Sequence, residues 1–245
     1  KYVQETVLSL LGNFNAKRRE LRHPFQSKPT ESCIENRRKC KTFLTSLLGK
    51  NVWYQHFQEY ADHCFCAKCE KEEVFYRGNP KEKYVLPIGW YRFGIKIRED
   101  CEMKEVEKWN VAYHGAPTDR VESIMQHRRI MFPGDKLNNG TILPVRLNAC
   151  YADKVSPDGK VIYCSPTIKY AGHPNYARPK KIGQGLVAQV VFQCKVAPGC
   201  FKKFPQTLRQ KNYDKNISDN EIEWVTGNRR GIAPYAALVR IVPEA

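Results

Sequence analysis

Two groups of residues have types and spacings suited to chemistry. The first is His63-Cys64-Phe65-Cys66-Ala67-Lys68-Cys69, which puts three thiols and an imidazole inside seven residues. A zinc ion needs four such ligands converging at tetrahedral geometry, and His63, Cys64, Cys66 and Cys69 form the candidate set. The run is less regular than a pair of CxxC knuckles, so the fourth ligand stays open among His63, His56, Cys33, Cys40 and Cys101. The expected role is a structural staple ahead of a sheet, because a catalytic zinc keeps an open position and needs a nearby base. The second group is dispersed: His114 in Val111–Ala116, Tyr163 in Gly159–Pro166, and Glu221 and Glu223 in Asn220–Val225. Each places a polar residue at a predicted strand. Gly115 lets a flat ligand approach the backbone without interference from a Cβ. Taken alone, a His at such a place is more often a hydrogen-bonded core or turn residue.

These residues need elements to hold them. Val3, Val7, Leu10, Leu11 and Phe14 share one helical face, and Cys40, Phe43, Leu44, Leu47 and Leu48 share another before Gly49. His23-Pro24 and Lys28-Pro29 break the helix between them, so residues 1–60 read as a helical hairpin leading into Trp53, Tyr54 and Phe57. From about residue 84 the pattern changes to short apolar runs separated by Gly, Pro and Asn. Strands are predicted at Trp109–Tyr113, Val161–Cys164, Leu186–Val196, Glu221–Val225 and Ala236–Val242, with a helix capped by Thr118 that carries Val121, Ile124 and Met125. Alternation in Leu186–Val196 predicts one buried face and one partly wet face bearing Gln189, Gln193 and Lys195. The class is α+β: a helical segment with the cysteine cluster over 1–83, then a sheet domain over 84–245.

Lys and Arg number 41 against 25 Asp and Glu, a formal charge of +16 that favours anionic partners such as DNA or RNA, or simply solvates the surface. No apolar run approaches the ~20 residues of a membrane span, and the first residues lack a signal-peptide cleavage pattern. Ten cysteines, clustered once and otherwise scattered, suit a reduced cytoplasmic or nuclear protein with a metal site better than a secreted disulfide scaffold. The chain begins at a lysine and ends abruptly after Pro243, as a fragment of a longer protein would.

In their order, the three segments around His114, Tyr163 and Glu223 resemble the ADP-ribosyltransferase superfamily of the poly(ADP-ribose) polymerase kind, with its His, Tyr and Glu on successive strands. The resemblance spans about 109–242: Tyr113-His114-Gly115 followed by the helix Thr118–Arg129, Val161-Ile162-Tyr163 with Tyr170 on a helical turn, and Asn220–Val225 followed by Tyr235–Val239. Gly89–Phe93, Ser165–Ala177 and Glu221–Trp224 are more closely similar to the carboxy-terminal region of neuralized-like proteins, which also carries a Cys-rich stretch upstream.

The resemblance implies a split β-sheet core and a mono-ADP-ribosyltransferase that uses NAD as co-substrate, transfers ADP-ribose to a protein or nucleic-acid acceptor and releases nicotinamide. It implies that His114 bonds the adenosine ribose, Tyr163 the other ribose and Gly115 backbone groups the carboxamide. Tyr170 stacks on nicotinamide, with Ser165 also in the pocket, and Glu223 holds the nicotinamide-ribose 2′-hydroxyl. Glu221, two residues away and on the same strand face, is expected to face the acceptor, and either carboxylate fits the catalytic role. Ala116 stands where the family has Ser or Thr, and the distance from His114 to Tyr163 implies an insertion around Pro133–Pro157. Two other readings remain: a catalytically silent module of this fold, and a zinc-dependent nucleic-acid-binding domain using Arg18–Arg22 and Arg37–Lys41.

Overall fold

The computed structural model describes residues 30–70, 73–101, 103–145 and 149–244. The first predicted helix and Arg18–Arg22 lie outside them. Helix α1 (Glu31–His56) begins where the Thr30 hydroxyl accepts the Cys33 amide. Cys40, Phe43, Leu44 and Leu48 are buried on one face, as their spacing predicts. Gly49, at φ 73° and ψ 158°, is non-helical and ends the first stretch of α1 as the sequence predicts; a second helical stretch follows across this kink and carries Trp53 into the core.

The strands are β1 (His63–Cys64), β2 (Val74–Arg77), β3 (Glu82–Val85), β4 (Tyr91–Gly94), β5 (Asn110–Ala116), β6 (Ile162–Cys164), β7 (Lys180–Gly183), β8 (Leu186–Val196), β9 (Lys202–Phe204), β10 (Glu223–Thr226) and β11 (Ile232–Pro243). Short helices α2 (Met103–Val106), α3 (Thr118–His127) and α4 (Ile168–Ala171) lie between them. The chain is thus mixed α and β, and its sheets are antiparallel. The larger sheet runs β1-β4-β11-β8-β5 with β7 on β8, the smaller runs β6-β10-β9, and β2-β3 is a separate hairpin. One bridge joins the two sheets: the Tyr113 amide donates to the Ser165 carbonyl at 2.7 Å, and the Ser165 amide returns a bond to Tyr113 at 2.9 Å.

The core crosses the 83/84 position, which falls inside β3. On one face of the large sheet, Phe93, Ala112, Phe192 and Ala237 pack against Phe43 and Leu44 of α1 and Val121 and Ile124 of α3. On the other face, Val111, Tyr113, Val191 and Leu238 pack under Tyr84, Leu86, Trp90, Ile168 and Ala177. On the face of β8 expected to be partly wet, Gln189 and Gln193 are therefore buried, and only Val187 and Lys195 at its ends stay half-buried. Gln189 tolerates this because its amide donates to the carbonyls of Gly172 and Ala177 at 3.1 and 2.7 Å. The cap of α3 also differs from expectation: Pro117 holds the extended N-cap position without a side-chain bond, and Thr118 is the first helical residue. No helix among the described residues is long and apolar enough to cross a membrane.

Candidate metal centre and carboxylate site

Four cysteines converge: the sulfurs of Cys33, Cys64, Cys66 and Cys69 all lie within 4.8 Å of one another. Cys33 Sγ is 3.6 Å from Cys66 Sγ and 3.5 Å from Cys69 Sγ, and Cys66 and Cys69 are 3.4 Å apart. Zn–S bonds of about 2.3 Å at tetrahedral angles put sulfurs roughly 3.8 Å apart, so the cluster fits a metal ion such as zinc. Local structure explains the placement. Cys33 sits in the first turn of α1, Cys64 on β1, and Cys66 and Cys69 in a tight turn closed by the Cys69 amide on the Cys66 carbonyl at 2.9 Å. Burial opposes ionisation of Cys33, yet bonds from Thr30 and from the Cys69 and Cys64 thiols outweigh it and bring the thiol down to about 6, in the direction a metal ligand requires.

The ligand set expected from the sequence needs one correction: Cys33 takes the place given to His63. His63 and Cys64 are adjacent on a strand, so their side chains leave opposite faces. His63 Nε2 pairs instead with the buried Glu70 carboxylate, and its ring packs on Phe65. His56, Cys40 and Cys101 lie outside the cluster; Cys40 is in the core, where burial pushes its thiol up to about 12.

The second site lies where the sheets meet. Register places Tyr163 opposite Val225, and alternation brings Glu223 onto the same face. Glu223 is buried on both sides of its carboxylate. Oε1 accepts hydrogen bonds from Tyr170 Oη at 2.8 Å, Thr207 Oγ1 at 3.0 Å and Tyr176 Oη at 3.4 Å. Oε2 is buried and accepts no bond from any described residue. Burial raises the Glu223 pKa, against the pull of the Tyr170, Thr207 and Tyr176 hydroxyls.

His114 on β5 meets this pair through the backbone: Nδ1 lies 2.8 Å from the Tyr163 carbonyl oxygen. A carbonyl only accepts, so Nδ1 carries the proton and Nε2 presents a lone pair. Burial takes the imidazole down to about 4, Arg120 adds to the fall, and the bond to Tyr163 resists it. The ring is thus neutral near pH 7.

The remaining predicted residues fall around this centre. Tyr163 Oη donates to the Cys150 carbonyl, in the stretch between α3 and β6. Tyr170 holds the carboxylate through its hydroxyl, and its ring meets Tyr176 and Tyr213. Ser165 is buried in the bridge between the sheets, where its Oγ accepts the Thr167 amide at 3.2 Å. The close approach at Gly115 is made by the chain itself, because a Cβ there would meet the Ala171 carbonyl oxygen at 2.2 Å and Tyr176 Cβ at 2.8 Å. Glu221 is not on the strand: it lies in the turn before β10, its side chain 61% exposed and 3.8 Å from Lys203. The shared face expected for the two glutamates is therefore absent. Thr207 has no signal in the sequence, and Tyr176 stands within the quoted Ser165–Ala177 run. Arg37, Arg38 and Lys41 of the proposed basic helix pair with Asp62, Glu35 and Glu59. No protein-family model matches the chain.

Proposed function

We propose that the chain is an NAD-dependent mono-ADP-ribosyltransferase. The observation that carries the reading is Glu223, buried and fixed through Oε1 by three hydroxyls, with Oε2 left to accept one further hydrogen bond. His114 stands on β5 at the edge of the larger sheet, and Tyr163 and Glu223 on β6 and β10 of the smaller one, which the Tyr113–Ser165 bridge links to it; this neighbourhood supports the reading. In this reading Oε2 accepts the 2′-hydroxyl of the nicotinamide ribose. His114 Nε2 accepts a hydroxyl of the adenosine ribose, and the Tyr163 hydroxyl exchanges the Cys150 carbonyl for a ribose oxygen.

The bond from ribose C1′ to nicotinamide N1 breaks, and its electron pair leaves with neutral nicotinamide. Positive charge grows on the ribose, where the Glu223 carboxylate stabilises it. A nucleophilic oxygen or nitrogen of a protein or nucleic-acid acceptor forms the new bond to C1′ and loses its proton to Glu223 or solvent. The four cysteines are assigned a structural zinc that ties α1 to the turn after β1.

A second reading is a module of this architecture that binds without turnover. Two contacts favour it: the Tyr163 hydroxyl is engaged by Cys150, and the space before Gly115 is filled by Ala171. Nicotinamide release from NAD⁺ by the purified chain, beside a folded Glu223→Ala variant, separates the two. Release that Glu223→Ala abolishes is the expected result; no release with any protein, DNA or RNA acceptor would reject the enzyme.

A further inference from the structure

We infer that the mouth of the Glu223 site is a binding surface for single-stranded nucleic acid. The three hydroxyls that hold Glu223 come from Tyr170, Tyr176 and Thr207, and each has an exposed cation within two residues: Lys169, Arg178 and Arg209. None of these cations forms an ion pair with a described residue, whereas Lys203 and Lys215, on the same side of the chain's order, are paired with Glu82 and Glu73. The carboxylates of the 205–219 loop are turned to its own interior. Asp214 accepts the Thr167 hydroxyl, and Asp219 accepts the amides of Asn212 and Tyr213 at 2.7 and 3.0 Å. The rim thus carries one shared acid, Glu73, which pairs with Lys215 and attracts Lys169, while Arg178 and Arg209 pair with no carboxylate among the described residues, on segments tied together by the buried carboxylate.

Charge alone would suit any polyanion; the aromatic rings narrow the class. Tyr213 and His173 are partly exposed on the same rim, meeting edge to face at 6.2 Å, and Tyr213 packs in the same manner on Tyr170 at 5.1 Å. Cations interleaved with partly exposed rings are what an unpaired strand requires, phosphates on the former and bases on the latter. A duplex keeps its bases stacked away from such rings, and a poly-acidic peptide offers no base to stack on them. As a binding partner the strand is independent of the transferase assignment; as the acceptor of ADP-ribose it rests on that reading.

The test is fluorescence anisotropy with the full chain and a labelled single-stranded RNA or DNA of about 12 nucleotides, within the range of site sizes for such grooves. The triple variant Lys169→Gln/Arg178→Gln/Arg209→Gln should weaken binding at least about tenfold, and flatten the salt dependence by about two units of log slope, some 0.7 per lost phosphate contact. Lys50→Gln/Lys104→Gln/Lys136→Gln, which removes as much exposed charge from α1, α2 and the loop after α3, should change affinity by no more than about twofold. Equal losses in the two triple variants would overturn the inference. So would tighter binding of a duplex, or a poly-glutamate peptide that competes as well as the strand. Rim-dependent binding without nicotinamide release would sustain the inference and reject the transferase. Glu223-dependent release with rim-indifferent binding would do the reverse.

Discussion

Replacing Cys33 by Ser tests the metal centre at the position the sequence left open. Cys64, Cys66 and Cys69 remain close in the chain without it, so the variant keeps three ligands and loses the long-range one. Closing the loop between Cys33 and Cys66, 33 positions apart, removes about 3.7 kcal/mol of unfolded-chain entropy by the loop-closure relation, before any change in the metal bonds themselves. For a chain of this size each kcal/mol moves the midpoint by about 2–4 °C, so a loss of roughly 10 °C is expected. Two measurements check it: zinc affinity by competition with a chromophoric chelator, and thermal unfolding with and without that chelator. Wild type should lose stability on chelation, while Cys33→Ser should start near the chelated level and respond little. His63→Ala should retain the metal, although it leaves Glu70 without its imidazole partner. Wild-type zinc affinity in Cys33→Ser together with metal loss in His63→Ala would refute the ligand assignment.

Three further outcomes are expected. Gly115→Ala forces a methyl to within 2.2 Å of the Ala171 carbonyl oxygen, which backbone shifts can relieve only at a cost of about 1–3 kcal/mol in urea unfolding; unchanged stability would contradict the close packing of 171–177 on β5. Glu223 has its pKa raised by burial, so the stability this group contributes is full below its ordinary value of 4.5 and is lost as pH rises through the raised folded value. Glu223→Gln should remove that decline, leaving a flatter stability curve above pH 4.5, and parallel curves would reject the raised pKa. Tyr170→Phe deletes the 2.8 Å bond that favours the charged carboxylate, so the acid limb of nicotinamide release should move to higher pH, and further than in Tyr176→Phe, whose bond is 3.4 Å. An unmoved limb with lower activity would make Tyr170 a packing residue.

The long elements were legible because their periodicity reflects burial on one side. Cys40, Phe43, Leu44 and Leu48 mark the inner face of α1, and β8 runs over Leu186–Val196, the expected limits. The short strands β1, β7 and β9 span two to four residues, too few for alternation to stand out, and their pairing comes from β4, β8 and β10 rather than from their own composition. The partly wet face expected on β8 survives only at its ends, Val187 and Lys195, for a related reason. Polar residues predict solvent only when no carbonyl is offered to them, and Gly172 and Ala177 offer theirs to Gln189 across the sheet.

The two sites show the same division between local and long-range information. Cys64, Cys66 and Cys69 announce themselves by proximity in sequence, but proximity also nominated His63, which strand alternation turns away from the cluster. The ligand that completes it comes from a helix more than thirty positions earlier. At Glu223, the His, Tyr and Glu were visible through their order along the chain, whereas the groups that set the state of the carboxylate were not. Thr207 reaches Oε1 from an irregular loop, and Tyr170 does so with its hydroxyl rather than by presenting its ring. A buried carboxylate without those donors would be driven further toward its neutral form, and in the proposed reaction a neutral Glu223 could not stabilise positive charge on a ribose. In the proposed reaction the 205–219 loop is therefore tied to the chemistry as closely as the strands are, because it supplies a hydroxyl to the buried oxygen and, with Arg209, one of the three cations of the proposed binding surface.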